Sequence, residues 1–345
     1  MVVLFARIQR DGLALPCPFQ IFRRGTGENL RQSRTTYQMS QKPQETGVRS
    51  LLESLAMSGV GNVCKTMDFD ACRYMGGWLG LLLFGALGKR QNIAVNNIRL
   101  ALGVSRARAH QLARRSCMNF GMTFTEFMHL PTASDAEIRE RCYINGIEHL
   151  WSALEAKKGA ILLTGHLGNW EMMGARAALE IPLTVIARPT SNAGVQRHIE
   201  ASRRAVNINM ISKYDTGRGA LTVLKRNGTL GILPDQHAGP EGALLPFFGQ
   251  PTRVWTAVAR LALLSGAHVL PAFGVRRRPF LADGRIEARV SPSWTVPKSE
   301  NREEAILEGT KRMVGELEKI MRAEPDQWLW LHRRWRERDG AVFPK

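Results

Sequence analysis

The chain has no disulfide frame. Its five cysteines (Cys17, Cys64, Cys72, Cys117 and Cys142) are odd in number and form no C-x-x-C pair. That suits free thiols in a reducing compartment. No zinc-ligand spacing occurs. The amino terminus does not read as a secretory signal, because charges and proline soon interrupt the short apolar start. The most apolar stretch, Tyr74–Gly88 (YMGGWLGLLLFGALG), is shorter than the roughly 20 residues a spanning helix needs. Followed by Lys89 and Arg90, it reads either as a core helix or as an interfacial helix with its basic flank on an anionic membrane face. Acidic residues are scarce, 30 against 48 basic, for a net charge of +18. Such an excess attracts nucleic acid, an anionic membrane or a phosphorylated substrate, and does not choose among them. No internal repeat is evident.

What is present is enough apolar residue, 44% of 345, to build one large core or two ordinary ones. Residues 1–60 stand apart, rich in Arg, Gln, Gly, Ser and Thr. They are expected to be a disordered leader, most clearly over Arg23–Thr46, or an over-long gene start. Residues 70–130 read as helical and membrane-associating, and 131–337 as an α/β domain. Within that domain short apolar runs bounded by turns alternate with helical periods. The runs are Gly159–Thr164, Leu183–Ala187, Ile208–Ser212, Leu230–Leu233, His268–Gly274 and Arg285–Val290. This predicts a mixed or mostly parallel sheet flanked by helices.

The chemistry concentrates in Gly165-His166-Leu167-Gly168-Asn169-Trp170-Glu171. In open α/β sheets ligands bind beyond the carboxyl ends of strands, and His166 follows one. Gly165 and Gly168 permit a tight turn, Asn169 is a good helix cap, and a carboxylate at Glu171 is favoured by the helix dipole. Across that turn Glu171 can accept from one imidazole nitrogen while the other takes a proton from an acceptor hydroxyl. No serine nucleophile is required, and no G-x-S-x-G elbow occurs. A buried structural pair is the plain alternative.

The segment resembles the histidine–four residues–acidic motif of glycerolipid-type acyltransferases. In the form GHLGNWE it is similar to the lipid A biosynthesis (lauroyl/myristoyl) acyltransferases. Other pieces agree in order: Arg188-Pro189 and Asn192, Arg218 before Leu-Pro-Asp235-Gln236, Pro246-Phe247-Phe248-Gly249, Pro271, and Pro325 to Trp335 with Trp328, Trp330, Arg333 and Arg334. The likeness covers about Leu87 to Trp335. It implies a glycerolipid acyltransferase-like α/β domain held on the cytoplasmic face of the bacterial inner membrane. It implies acyl-carrier protein or acyl-CoA as donor, a Kdo-bearing lipid A precursor as acceptor, and no metal or nucleotide cofactor. Other acceptors (another glycolipid, phosphatidylinositol mannoside, ornithine lipid or lysophospholipid) stay open.

His166 and Glu171 are then the candidate catalytic pair. Substrate-binding candidates are Arg188, Asp235, Gln236, Asn169, Arg218, Phe248 and Arg253. Arg188 suits a phosphate or an oxyanion. Asp235 suits an ion pair with Arg188 or Arg218, a sugar contact, or merely a turn. Phe248, with Phe247, suits an acyl channel or plain core. Arg253 suits an anionic acceptor. The tryptophans and arginines near the carboxyl end read as inward packing with a membrane-interface edge. Bases stacking on them would make a nucleic-acid site, but no nucleic acid is expected. The expected partners are acyl-carrier protein, anionic membrane lipid and a glycolipid acceptor. A basic binding protein without catalysis is the remote rival.

Overall fold

The computed structural model describes residues 47–212, 216–277 and 284–336. The expected disordered run Arg23–Thr46 lies outside them. The described residues begin with four helices: α1 (Val48–Thr66), α2 (Phe69–Ala86), α3 (Gly88–Leu102) and α4 (Arg106–His129). α1 thus corrects the expected leader, whose boundary at residue 60 falls inside a helix. Its Ser54 hydroxyl donates to Asn192 Oδ1 at 2.8 Å, and Ser58 bonds His198 at 2.8 Å. Side-chain caps start the next helices: Asp68 accepts from Ala71 N–H, and Ser105 from Arg108 N–H. Such caps satisfy donors that the first turn leaves unpaired.

The glycines of α2 explain its position. A Cβ on Gly76 would lie 2.4 Å from Gly121 O, and one on Gly80 2.3 Å from Cys117 O. Small residues there let α2 and α4 touch backbone to backbone, as small-x-x-x-small pairs do. The opposite face of α2 exposes Tyr74, Trp78, Leu82 and Leu83. The segment is therefore core on one side and apolar surface on the other. Among the described residues, no helix is long and apolar enough to cross a membrane.

The rest alternates strand and helix: α5 (Asp135–Arg141), β1 (Cys142–Asn145), α6 (Ile147–Glu155), β2 (Ala160–Leu163), α7 (Trp170–Ala178), β3 (Leu183–Ala187), α8 (Ala193–Ala205), β4 (Ile208–Ser212), α9 (Thr216–Lys225), β5 (Thr229–Ile232), β6 (Ala243–Phe247), β7 (Gln250–Val254), α10 (Ala257–Ser265), β8 (His268–Arg276), β9 (Ile286–Val290) and α11 (Arg302–Ala323). Seven strands form one sheet in the order β1-β9-β8-β2-β5-β3-β4. From β8 to β4 all neighbours are parallel, and β9 pairs antiparallel with β8. The mostly parallel sheet matches the apolar runs in the sequence. Both faces of β2 are buried: Ile161 and Leu163 pack with Leu224 of α9, Val258 of α10 and Met313 of α11. Ala160 and Leu162 pack with Leu150 of α6 and Met172 of α7. A strand buried on both faces reads as an unbroken apolar run.

Sequence periodicity does not single out the β6–β7 hairpin. Phe248 and Gly249 form its two-residue turn at φ 53° and 71°, the left-handed pair that a tight hairpin favours. A phenylalanine there is held by its surroundings. Its N–H donates to Glu318 Oε1 at 2.6 Å, and its ring contacts Trp330 and the Arg322 guanidinium.

Candidate active site

The turn after β2 is shaped by close approaches. Gly168 has φ 60°, and a Cβ there would sit 1.9 Å from Gly274 O. Only glycine fits. Asn169 N–H donates to that same carbonyl at 2.8 Å. The segment after α11 crosses the turn as a strap: Gly168 N–H donates to Gln327 O at 3.0 Å and Leu329 N–H to His166 O at 2.9 Å. α3 and α4 hold the strap from behind, through Asn97 to Trp330 O at 2.9 Å and through the Ser116 hydroxyl to Trp328 O.

Asp235, and not Glu171, meets the His166 imidazole. Nδ1 lies 2.9 Å from Asp235 Oδ1, while the backbone N–H of His166 donates to Oδ2 at 2.8 Å. Trp328 Nε1–H also donates to Oδ2, at 2.8 Å. An ionised carboxylate only accepts, so Nδ1 carries the proton and Nε2 is the basic nitrogen. Register explains the encounter. β2 and β5 pair Ala160 with Thr229, 69 positions apart, and His166 and Asp235 have the same separation of 69. The two side chains simply extend the parallel ladder past its carboxyl end. Gly165 makes room, since a Cβ there would already touch Asp235 Cγ at 3.3 Å.

Burial alone lowers the His166 pKa. Attraction to Asp235 and the bond to it outweigh burial, and the net shift is upward. For Asp235, burial raises the pKa, but His166 and the donors around the carboxylate overcome it and hold it at about 2. Asp235 is therefore ionised at neutral pH, and its charge favours the protonated imidazole.

Glu171 faces another partner. It accepts from Arg203 Nη2 at 2.6 Å, Arg203 Nε at 3.1 Å and Trp170 Nε1 at 3.1 Å. The expectation that Glu171 orients the imidazole is thus corrected: a permanent cation on α8 lies within reach of it, and a carboxylate at strand register already holds Nδ1. Trp170 stands edge-on to the His166 ring at 5.2 Å. Beyond two bonds to Glu171, Arg203 meets the Met210 sulfur with Nη1 at 4.0 Å, a weak acceptor.

These groups line one cavity of about 560 Å³, a size typical of small-molecule sites. Its rim carries His166, Glu171, Arg188, Arg203 and Gln236. The rest of its lining is largely apolar. Leu162, Gly231 and Val185 form a row across β2, β5 and β3, and Met173, Gly174 and Ala177 of α7 stand opposite. Both glycines border Leu183: a Cβ on either would come within 3.9 Å of a Leu183 methyl.

The remaining candidates separate cleanly. Arg188 and Gln236 line the cavity. Asp235 pairs with His166 instead of Arg188 or Arg218. Asn169 does not face the cavity. It is fully buried, caps α7 by accepting from Met172 N–H at 2.8 Å, and donates to Glu126 Oε2 at 2.6 Å. Arg218 is exposed on α9, away from the cavity lining. Phe248 packs in the hairpin core and not along an acyl channel. Arg253 Nη1 donates to Gly242 O at 3.0 Å and to Pro240 O at 3.3 Å, pinning the loop before β6. Trp328, Trp330 and Trp335 are buried, which removes the expected interface edge and any stacking platform for bases. Arg203 escaped the sequence reading because it is one arginine among several in α8. Its partner is 32 residues away, and no local spacing marks it.

The family model for the bacterial lipid A biosynthesis acyltransferase matches residues 42–337. A lipid A biosynthesis palmitoleoyltransferase of Escherichia coli is 25% identical over 79% of this chain and 87% of its own length. A lipid A biosynthesis lauroyltransferase of the same species is 25% identical over 78% and 86%. A phosphatidylinositol mannoside acyltransferase of Mycolicibacterium smegmatis is 27% identical over 46% of this chain, which spans about half of that protein, 54%. Among solved structures, a 1-acyl-sn-glycerophosphate acyltransferase from Thermotoga maritima superposes with a TM-score of 0.31 at 17% identity, over 71% of this chain and 97% of that one. A superposition that loose carries no argument.

Proposed function

Because the chain belongs to the bacterial lipid A biosynthesis acyltransferase family, and is on that ground an O-acyltransferase, we propose that His166 is the general base in the transfer of an acyl chain from a thioester to a lipid A precursor hydroxyl. The observation that carries this reading is the His166–Asp235 bond, 2.9 Å long, at the mouth of an apolar cavity. Nε2 takes the proton of the acceptor hydroxyl. The hydroxyl oxygen bonds to the thioester carbonyl carbon, and the C=O pair moves onto oxygen. Collapse breaks the C–S bond, and the thiolate leaves with the proton from the imidazolium. Asp235 fixes the tautomer and balances the imidazolium. Glu171 and Arg203 shape the polar rim, where the guanidinium, with Arg188, faces anionic parts of donor or acceptor.

Acyl-carrier protein, or acyl-CoA in its place, is the donor we propose. The excess of 48 basic over 30 acidic residues favours an acidic carrier and an anionic acceptor. The exposed Tyr74, Trp78, Leu82 and Leu83, followed by Lys89 and Arg90, suit docking at the cytoplasmic face of the inner membrane. The chemistry needs no metal. Phosphatidylinositol mannoside is the second acceptor to weigh, given the relative that bears that name.

The test is His166→Ala in the full chain, assayed with acyl-carrier-protein thioester and a Kdo-bearing lipid A precursor. A folded protein without transfer is expected, and wild-type transfer by that variant would sink the assignment. Lipid mass spectrometry of cells with and without the gene separates acceptors. Loss of one secondary acyl chain from lipid A supports the first, and a change confined to mannosides or phospholipids supports the second.

A further inference from the structure

Thr164 follows β2, two residues before His166. Its backbone N–H is engaged by Ile232 O at 3.0 Å. Its side chain is not. Oγ1 is buried, the residue being only 4% exposed, and has no hydrogen-bond partner among the described residues. Buried hydroxyls are almost always bonded, because leaving one unmade forfeits its hydration with no return. Packing does not require the hydroxyl. Valine has the same branch at Cβ and suits an extended segment as well. The cost of this oxygen is therefore unexplained by the fold.

Position supplies the explanation. Thr164 lines the cavity. Side chains alternate along a strand, so Thr164 points to the same face as Leu162. Leu162 belongs to the apolar row that continues through Gly231 to Val185. The hydroxyl thus sits where the apolar floor gives way to the polar rim at His166. A chain lying on that floor with its carbonyl carbon in reach of His166 must pass Thr164. At that point the one polar atom an acyl chain offers is its carbonyl oxygen, an acceptor, and a threonine hydroxyl can donate.

We propose that Thr164 Oγ1–H donates to the carbonyl oxygen of the bound acyl thioester and keeps that bond as the oxygen becomes an oxyanion. This rests on the reading of His166 as an acyl-transfer base. As the acceptor oxygen attacks, the carbonyl π pair moves to the oxygen held by Thr164, and it returns when the C–S bond breaks. A donor fixed in a water-poor pocket acts most strongly on the charged transition state.

The experiment compares Thr164→Val, Thr164→Ser and His166→Ala in the full chain. Thiol release is followed from palmitoyl-CoA and from palmitoyl acyl-carrier protein, with a lipid A precursor and with water as acceptor, alongside thermal unfolding. Thr164→Val is expected to lower kcat about a hundredfold with little change in KM. It is also expected to raise Tm by about 2 °C, since it deletes an unsatisfied hydroxyl. Thr164→Ser should keep most of the rate. A Thr164→Val enzyme with wild-type kcat, beside an inactive His166→Ala, overturns the Thr164 assignment alone. So does a lowered Tm for Thr164→Val, which would mean that the hydroxyl is bonded within the protein. Activity retained in His166→Ala, or no thiol release by the wild type from either thioester, removes the acyl-transfer reading and this inference with it.

Discussion

Two glutamate–arginine pairs of the same chemistry lie at the amino-terminal end of α7, one against its cap Asn169 and one in its first turn, and they differ in what surrounds them. Glu126 and Arg276 meet through two bonds of 2.8 and 2.6 Å, with side chains 5% and 0% exposed. Every direction around them is filled: Asn119 Oδ1 accepts from Arg276 Nε at 3.1 Å, and Asn169 donates to Glu126. Glu171 and Arg203 are also joined by two bonds, but they form part of a cavity wall, with 11% and 17% exposed. The interior pair fastens the cap of α7 to α4 and β8. The rim pair presents charge to whatever enters. An ion pair alone thus says little about role, and the saturation of its remaining donors and acceptors says much.

The largest effect should come from the interior pair. Arg276→Met strands a buried carboxylate, which costs about 3–5 kcal/mol. Chemical denaturation should show that loss, and a stability within 1 kcal/mol of wild type (about what an exposed pair contributes) would mean that the pair is not sealed. Arg203→Met should behave oppositely. We expect a rate loss of about a hundredfold with a smaller fall in stability, read from kcat and the unfolding midpoint of one preparation. Equal damage to both quantities would erase the contrast.

The pH profile sharpens the site further. His166 must be neutral to accept a proton, and its pKa is raised above 6.5. The rate should therefore climb with pH through a midpoint above that value. Asp235→Asn should move the midpoint down while lowering the plateau. An unmoved midpoint in that variant would detach Asp235 from the imidazole. Stability runs the other way: the pair's contribution is full below the unfolded histidine pKa and fades as pH rises through the folded one. At the acid end it is lost as Asp235 protonates near about 2.

The smallest effect concerns the cavity floor. Gly174→Leu fills space beside Leu183 and Ile208. It should lower the rate with palmitoyl relative to octanoyl donors by about tenfold, the scale of a few methylenes in a tight pocket. A uniform loss across chain lengths would place the acyl chain elsewhere.

Much of this was written in local pattern. The six apolar runs become strands of one sheet, and β2 and β5, buried on both faces, need no alternation. GHLGNWE becomes a strand end, a glycine turn and a capped helix because each of those steps is short-range. Gly168 could be nothing else, with Gly274 O in the way. His166 as a candidate was legible for the same reason.

Its partner was not. Glu171 is five residues from His166, and Asp235 is 69 away, yet the distant one holds the imidazole. Strand register, which no spacing in the chain reveals, sets the carboxyl ends of β2 and β5 side by side. Arg203 then claims Glu171 from a helix across the cavity, and Trp328 seals Asp235 from a strap at the far end of the chain. The sequence by itself singled out His166 as the candidate base and determined what kind of fold carries it. Tertiary structure decided which carboxylate stands behind it, because parallel pairing joins residues by offset and not by nearness.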